Sequence, residues 1–261
     1  MQIGLLDPYC QGASPVHRLD PRLKLLATLA FVVAATSTPP GAWPAFALLA
    51  VLTLAAIVAA HLPLLQVLKR SAIALPFAGM IAVSLPFTQG GSVVWSWPIW
   101  HWNLTVTDEG LFLFAAVVIK AWLSVTVSGL LVATTPFPDL LKAMRSLRVP
   151  AVLTATISFM YRYLFVLVEE ARRLLTARQA RSAGSGRTAA WRARVLGGMI
   201  GSLFIRSYER SERIYAAMLS RGFGGEMRSL TRLTWQARDS WVGLAWALAL
   251  IGVALLARMA F

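Results

Sequence analysis

The sequence is poor in charge and almost devoid of cysteine. Its one cysteine, Cys10, among 261 residues excludes an internal disulfide and a thiolate-rich metal site. Charged residues make up 14 % of the chain, against about 25 % in soluble domains. Acids are scarcest, 11 against 25 Lys and Arg. The three histidines, His17, His61 and His101, lie far apart and form no metal-ligand pattern. There is no Gly-x-x-x-x-Gly-Lys-Ser/Thr loop to cradle phosphate, no nucleophile elbow and no His-Glu-x-x-His. No carboxylate pair sits in an acid–base setting. The chain is therefore expected to be non-catalytic, with no metal site and no cofactor of its own.

What the chain does have is long apolar runs. Hydrophobic residues make up 57 % of it and mean hydropathy is +0.65, which places it in the membrane class. Five stretches are candidate spans, at 23–38, 43–61, 71–88, 111–134 and 240–258, judged against the ~20 apolar residues that a span needs. The first is short and holds Lys24, whose stem is expected to snorkel to the headgroups. The third contains Pro76 and Pro86, so a kink is expected there. The N-terminus lacks the basic-then-apolar order of a cleaved signal peptide, so the first span is expected to stay in the mature protein.

Basic residues are unevenly placed. Residues 135–238 hold 18 Lys and Arg against 6 acids. The loop at 89–107 holds no Lys or Arg and is rich in tryptophan (Trp95, Trp97, Trp100 and Trp102). The first loop has no positive charge, the second carries Lys69 and Arg70, and Arg18, Arg22 and Lys24 stand at the start of the first span. The bias in Lys and Arg sets orientation, here with the N-terminus in the cytoplasm and the C-terminus outside. Nucleic-acid binding is disfavoured, because the arginines lie on helices interrupted by apolar stripes; attraction to anionic lipid is the simpler account of the net charge of +14.

The basic region reads as a short helix at 138–147 and two long ones at about 150–183 and 189–219, separated by Gly184-Ser185-Gly186. One stripe runs Ile157, Met160/Tyr161, Leu164, Leu167/Val168, Ala171, Leu174/Leu175. The other runs Leu196, Met199/Ile200, Leu203/Phe204, Tyr208, Ile214/Tyr215, Met218/Leu219. Extended by its own period, the first reaches Arg178 and Arg181 and the second reaches Arg221. A guanidinium in a last turn is favoured by the helix dipole alone, by ~0.3–1 kcal/mol. Two arginines in matched positions, each followed closely by glycine, also suit the carboxylates and helix-end carbonyls of a partner's groove. The expected fold is an all-α membrane protein with about five transmembrane helices and two long amphipathic cytoplasmic helices. Residues 1–134 form a four-span region, 135–238 the basic cytoplasmic region and 239–261 the last span.

Several segments resemble a known family: Ser14-Pro-Val-His-Arg-Leu-Asp-Pro-Arg-Leu-Lys-Leu-Leu26, Pro136-Phe-Pro-Asp-Leu-Leu-Lys-Ala-Met144, Tyr161-Arg-Tyr-Leu-Phe-Val-Leu-Val-Glu-Glu-Ala-Arg172, and the more specific 201–223. Across nearly its whole length the chain is similar to the transmembrane coupling (T) subunits of energy-coupling-factor (ECF) transporters, most of all to the cobalt/nickel branch, the CbiQ family. Members carry two Ala-Arg-Gly-type signatures at the ends of coupling helices. Here they look like Ala180-Arg181-Ser182 and Ser220-Arg221-Gly222, each departing at one small residue, and Arg178 is a rival in the first. The resemblance implies that these arginines dock into two ATP-binding-cassette ATPases, which hold ATP and magnesium, and that a separate membrane subunit of the cobalt/nickel type recognises the substrate. It also implies a multi-pass protein of the cell (inner) membrane.

Gly197 and Gly201, one turn apart, are expected to mark a close helix crossing. Glu169, Glu170, Arg172 and Arg173 read as a solvated face with local ion pairs, and Glu209, Arg210, Glu212 and Arg213 read the same way. Lys120 falls in the fourth span and is expected near its outer edge. Two alternatives stay open: a T subunit of a vitamin importer, and a transporter or channel that binds its own substrate. The second requires inward-facing ionisable groups in several spans, and away from their ends the spans offer mainly Thr, Ser and one Lys.

Overall fold

The computed structural model describes residues 12, 14–88, 90, 93–99, 102–181, 188–225 and 233–259, with side chains outside 88, 93–99 and 102–106. Two compact units are present. One combines Met1–Ala143 with Leu233–Phe261, and the other is Met144–Arg232.

In the first unit, α1 (Pro21–Ser37) starts where a helix start is chemically prepared. Proline occupies the first turn, and Asp20 Oδ1 accepts the Arg22 N–H at 2.8 Å. α2 spans Trp43–Ala59, α6 Asp108–Thr134 and α10 Ala237–Met259. Their core is Phe31, Leu49, Leu123, Val127 and Val253, with Trp246 stacked on Phe31 at 6.2 Å between ring centroids. α1 and α10 run parallel, because Gly243 meets Leu23 and Trp246 Nε1 donates to Ala27 O. α1 and α6 run antiparallel, with Lys24 at Thr134 and Thr36 at Lys120.

The third span differs from expectation and explains itself. It begins earlier, at Leu64, and is broken into α3 (Leu64–Ala72), α4 (Ala74–Ala82) and α5 (Leu85–Thr88). Each break begins four residues before a proline: α3 ends at Ala72, ahead of Pro76, and α4 ends at Ala82, ahead of Pro86. A proline ring clashes with the carbonyl four residues back, so two breaks replace the single expected kink. Lys69 and Arg70 consequently belong to the last turn of α3 and not to a loop. Gly110 lets α5 lie against α6: a Cβ there would stand 2.6 Å from Pro86 Cα.

Between α5 and α6 lies the one addition to the all-helical plan among the described residues. The antiparallel hairpin β1 (Val93–Ile99) and β2 (Trp102–Thr107) pairs Trp95 with Val106 and Ile99 with Trp102. Trp100 and His101 lie outside the described residues.

Lys24 overturns the snorkelling expectation. It is only 7 % exposed, and its Nζ donates to His17 O (3.2 Å), Thr134 O (3.0 Å) and Thr135 Oγ1 (3.4 Å). Its charge is spent on the last carbonyl of α6 and on two neighbouring oxygens, not on lipid headgroups. Asp239, 1 % exposed, accepts the N–H groups of Gln236 and Asp20. α6 therefore ends beside Lys24 and α10 begins beside Asp20, at the edge where α1 starts.

α7 (Phe137–Ser146) follows α6. The second unit is built on α8 (Ala151–Arg181) and α9 (Ala189–Ser220). They form an antiparallel hairpin: Phe159 meets Phe223, Glu170 meets Arg210 and Arg178 meets Trp191. Gly184–Gly186, the expected break, lies outside the described residues. Among the described residues nothing approaches the Gly197 and Gly201 positions, where a close crossing is expected: a Cβ at either would meet no atom within 4 Å. That face of α9 is open.

Among the described residues four helical stretches are able, by length and composition, to cross a bilayer: Leu64–Phe87, α6, α8 and α10. α1 and α2, at 17 residues each, rise ~25 Å, short of the ~30 Å hydrocarbon core. The presence of α8 in this set was not expected. Its first part, 151–168, holds Arg162 as its sole charge, whereas 169–181 holds six charged residues. The helix is apolar at one end and strongly polar at the other. The protein is an all-α, multi-pass membrane protein.

Candidate docking site on the paired helices

The end of α9 is set by a specific backbone motif. Gly222 has φ +75°, its N–H donates to Leu219 O (2.9 Å), and the Phe223 N–H reaches back to Met218 O (3.0 Å). This is the paired 5→2 and 6→1 bonding of a Schellman cap, in which the left-handed residue is normally glycine. The cap also turns Phe223 onto the other helix, where it packs edge-on against Phe159, 6.4 Å between centroids. In Ser220-Arg221-Gly222 the glycine therefore occupies the left-handed position of the turn, where it is the least strained residue. The turn fixes Arg221 as the C-cap, and its side chain is exposed. Ser220 Oγ turns back to Ala217 O at 3.0 Å.

The first signature lies at the other end of the hairpin. Ala180 and Arg181 are exposed in the last turn of α8, and Ser182 lies outside the described residues. The rival, Arg178, is partly buried and sits over the Trp191 ring, 5.9 Å from its centroid. Trp191 belongs to α9, so Arg178 joins the two helices while Arg181 points outward. Because the hairpin is antiparallel, Arg221 lies near Phe159 and Arg181 lies 22 residues further along α8. That places them roughly 33 Å apart at 1.5 Å per residue.

Between these ends the helices are held by charge. Glu170 Oε2 accepts from Arg210 Nη2 at 2.8 Å, and its Oε1 accepts from Arg206 Nη1 at 3.4 Å. The expectation of a solvated face holds for Glu169 with Arg173 (2.6 Å) and for Glu209 with Arg213 (3.9 Å), each one helical turn apart. It fails for Glu170 and Arg210, which face inward. Their signal in the sequence is phase: Glu170 falls one turn from both Leu167 and Leu174, and Arg210 one turn from Ile214.

Toward the Phe159–Phe223 end, the two helices bound an apolar groove of about 580 Å³, lined among others by Met160, Tyr163, Leu167, Ile214, Met218 and Phe223. The single stripe read on α9 is two ridges. Met199, Ile214 and Met218 are partly covered, whereas Ile200, Phe204, Tyr208 and Tyr215 are 57–68 % exposed. A helix apolar on two sides presents more surface than its own partner covers.

The architecture defines a multi-pass helical membrane component with a charged helical hairpin that exposes an arginine at each end. Residues 12–233 match the CbiQ family, described as cobalt transport protein. The chain belongs to this family, the transmembrane T components of ECF transporters. It is 29 % identical to an energy-coupling factor transporter transmembrane protein, EcfT, of Lacticaseibacillus paracasei, covering 97 % of this chain and 98 % of that protein. With the EcfT of Lactococcus lactis subsp. cremoris the identity is 30 %, covering 92 % of each. With the cobalt transport protein CbiQ of Rhodobacter capsulatus it is 31 %, covering 80 % of each.

Proposed function

We propose that this chain is the non-catalytic coupling subunit of an ECF-type importer for cobalt or nickel ions. Arg181 and Arg221 seat two ATPase subunits, which bind ATP and magnesium and hydrolyse the nucleotide, and a separate membrane subunit binds the ion. The observation that carries this reading is the placement of two exposed arginines at opposite ends of one antiparallel hairpin. Their separation suits two separate partner grooves better than one shared site. A planar five-donor guanidinium on a helix end is matched to carboxylates and helix-terminal carbonyls.

Closure of the two ATPases on ATP drives the hairpin ends relative to each other. The Glu170 clasp and the Phe159–Phe223 packing pass that displacement along the helices. The protein lies in the cytoplasmic (inner) membrane with the hairpin and N-terminus in the cytoplasm and the C-terminus outside. The charged end of α8 is then in water while its apolar end reaches the membrane boundary.

The test is co-purification and uptake. The tagged chain, expressed with its neighbouring transport genes, is expected to bring down two ATPase copies and to support cobalt uptake by cells. Replacing Arg181 and Arg221 together with alanine is expected to abolish both. Undiminished capture and uptake in the double variant would refute the docking assignment.

A second reading has its own support. Relatives carrying the general name EcfT match at 29–30 % over more than nine-tenths of the chain, about as well as the relative named for cobalt. On that reading the chain serves substrate subunits for vitamins. Vitamin uptake with no cobalt uptake in the same cells decides for it.

A further inference from the structure

The membrane unit holds a second cavity, of about 420 Å³, bounded by α1, α2, α6 and α10. Its walls are apolar: Leu23, Leu52, Ala56, Leu130, Trp246 and Ala249 are among them. Its polar members, such as Lys24 and Thr134, are satisfied, Lys24 on three oxygens and Thr134 Oγ1 on Leu130 O at 2.8 Å. Thr28 is the other polar side chain in the lining, and the rest of the wall is hydrocarbon. The volume falls within the ~300–1,000 Å³ of small-molecule sites, and the lining is that of a slot for hydrocarbon.

The rim has the opposite chemistry. The chain over the cavity supplies Val16, Leu19 and Leu23 to its lining and carries Arg18 and Arg22 between them. Arg238 Nη2 donates to Arg18 O at 3.2 Å, which brings a third guanidinium to the same edge. The acids nearby are already engaged. Asp20 accepts the Arg22 N–H, Asp239 accepts from Gln236 and Asp20, and Asp139 pairs with Lys142 at 2.8 Å. Arg22 Nε is buried without a hydrogen-bond partner. Three guanidinium groups beside an apolar slot, one of them with an unmet Nε, at the end of a membrane helix, are complementary to an anionic headgroup with its acyl chain.

We propose that this cavity is a binding site for one anionic phospholipid, with an acyl chain among α1, α2, α6 and α10 and its phosphate on Arg22, Arg18 and Arg238. The lipid would fill the joint between the end of α6 and the start of α10. The site is independent of the docking arginines.

The experiment uses the full chain, delipidated in detergent and then titrated with phosphatidylglycerol or phosphatidylcholine, with bound lipid counted by native mass spectrometry. One phosphatidylglycerol is expected to be retained, at least tenfold more tightly than phosphatidylcholine. Arg22→Gln with Arg238→Gln is expected to erase that preference. Ala56→Leu with Ala249→Leu, which fills the slot, is expected to abolish retention of either lipid while keeping the thermal midpoint of the lipid-free protein at or above its original value, a control for folding. Equal retention of the two lipids, a preference that survives the arginine changes, or retention unchanged in the filled variant would each overturn the proposal.

Discussion

Lys24 on α1 and Thr134 on α6 are joined by a 3.0 Å bond from the lysine ammonium to the last carbonyl of α6. The converse bond stands at the other end of the same helix pair, where Lys120 Nζ of α6 donates to Thr36 O in the last turn of α1, also at 3.0 Å. Each antiparallel helix thus lends a lysine to the C-terminus of its neighbour, where carbonyls lack helical partners and the dipole favours a cation. The two bonds are alike in geometry and unlike in burial.

That difference sets the first prediction. Lys24→Met keeps most of the stem but leaves buried carbonyls unmet, each costing ~1–3 kcal/mol. A total of about 2–4 kcal/mol corresponds to a fall of roughly 5–15 °C in thermal midpoint for a chain of this size. Lys120→Met, at a more exposed site, is expected to cost about 1 kcal/mol or less. Thermal unfolding in micelles measures both, and equal losses at the two positions would remove burial as the cause.

Glu170→Gln removes the charge that gathers Arg206 and Arg210. The pairs are partly exposed and screened by water, so the change in stability is expected to be small. The geometric effect is expected to be larger, because no residue of α9 is fully buried and little else holds the middle of the hairpin. Spin labels at Arg172 and Glu212, in a Cys10→Ser background, should report a broader and longer distance distribution by pulsed electron resonance. An unchanged distribution would show that apolar packing alone sets the spacing.

Gly222→Ala places a Cβ at φ +75°, where a non-glycine residue costs ~1–2 kcal/mol. The last turn of α9 is expected to fray, seen as faster hydrogen exchange at the amides of residues 222 and 223. The reverse change exists on α7, whose end closes the same way with Arg148 at φ 71° and the Val149 N–H on Met144 O. Arg148→Gly is expected to stabilise by about 1 kcal/mol.

Arg178 and Arg181 are predicted to separate by function. Arg178→Ala uncovers Trp191 and is expected to lower stability by ~0.5–1 kcal/mol while leaving ATPase capture intact. Arg181→Ala is expected to do the opposite. A pull-down and a melting curve on each variant suffice, and capture lost only in Arg178→Ala would transfer the docking role to that residue.

The periodicity of the apolar residues disclosed the long helices, because a 3.6-residue repeat over thirty positions has no other simple explanation. It also brought Arg178, Arg181 and Arg221 to notice as charges out of pattern. It did not separate Arg178 from Arg181. That distinction needs Trp191, thirteen residues from Arg178 and on another helix. The same limit hid Glu170, which looks like one more member of a charged cluster until α9 supplies two arginines. Lys24 was misread for a related reason: a lysine near the start of a span is free to snorkel, unless another helix happens to end beside it.

The amino-acid sequence by itself determined what is local. It specified a membrane protein with long helices, the proline-driven breaks ahead of Pro76 and Pro86, the glycine that ends α9 and the basic stretch between α6 and α10. These follow from hydration, backbone geometry and charge count, which each residue carries wherever it sits. Only the tertiary structure decided which charges are spent inside the protein and which remain for partners. Lys24, Asp239, Glu170 and Arg178 are consumed by neighbours distant in sequence, and Arg181 and Arg221 are left outward. The free energy of a charge depends on what surrounds it, and those surroundings exist only once the helices have met.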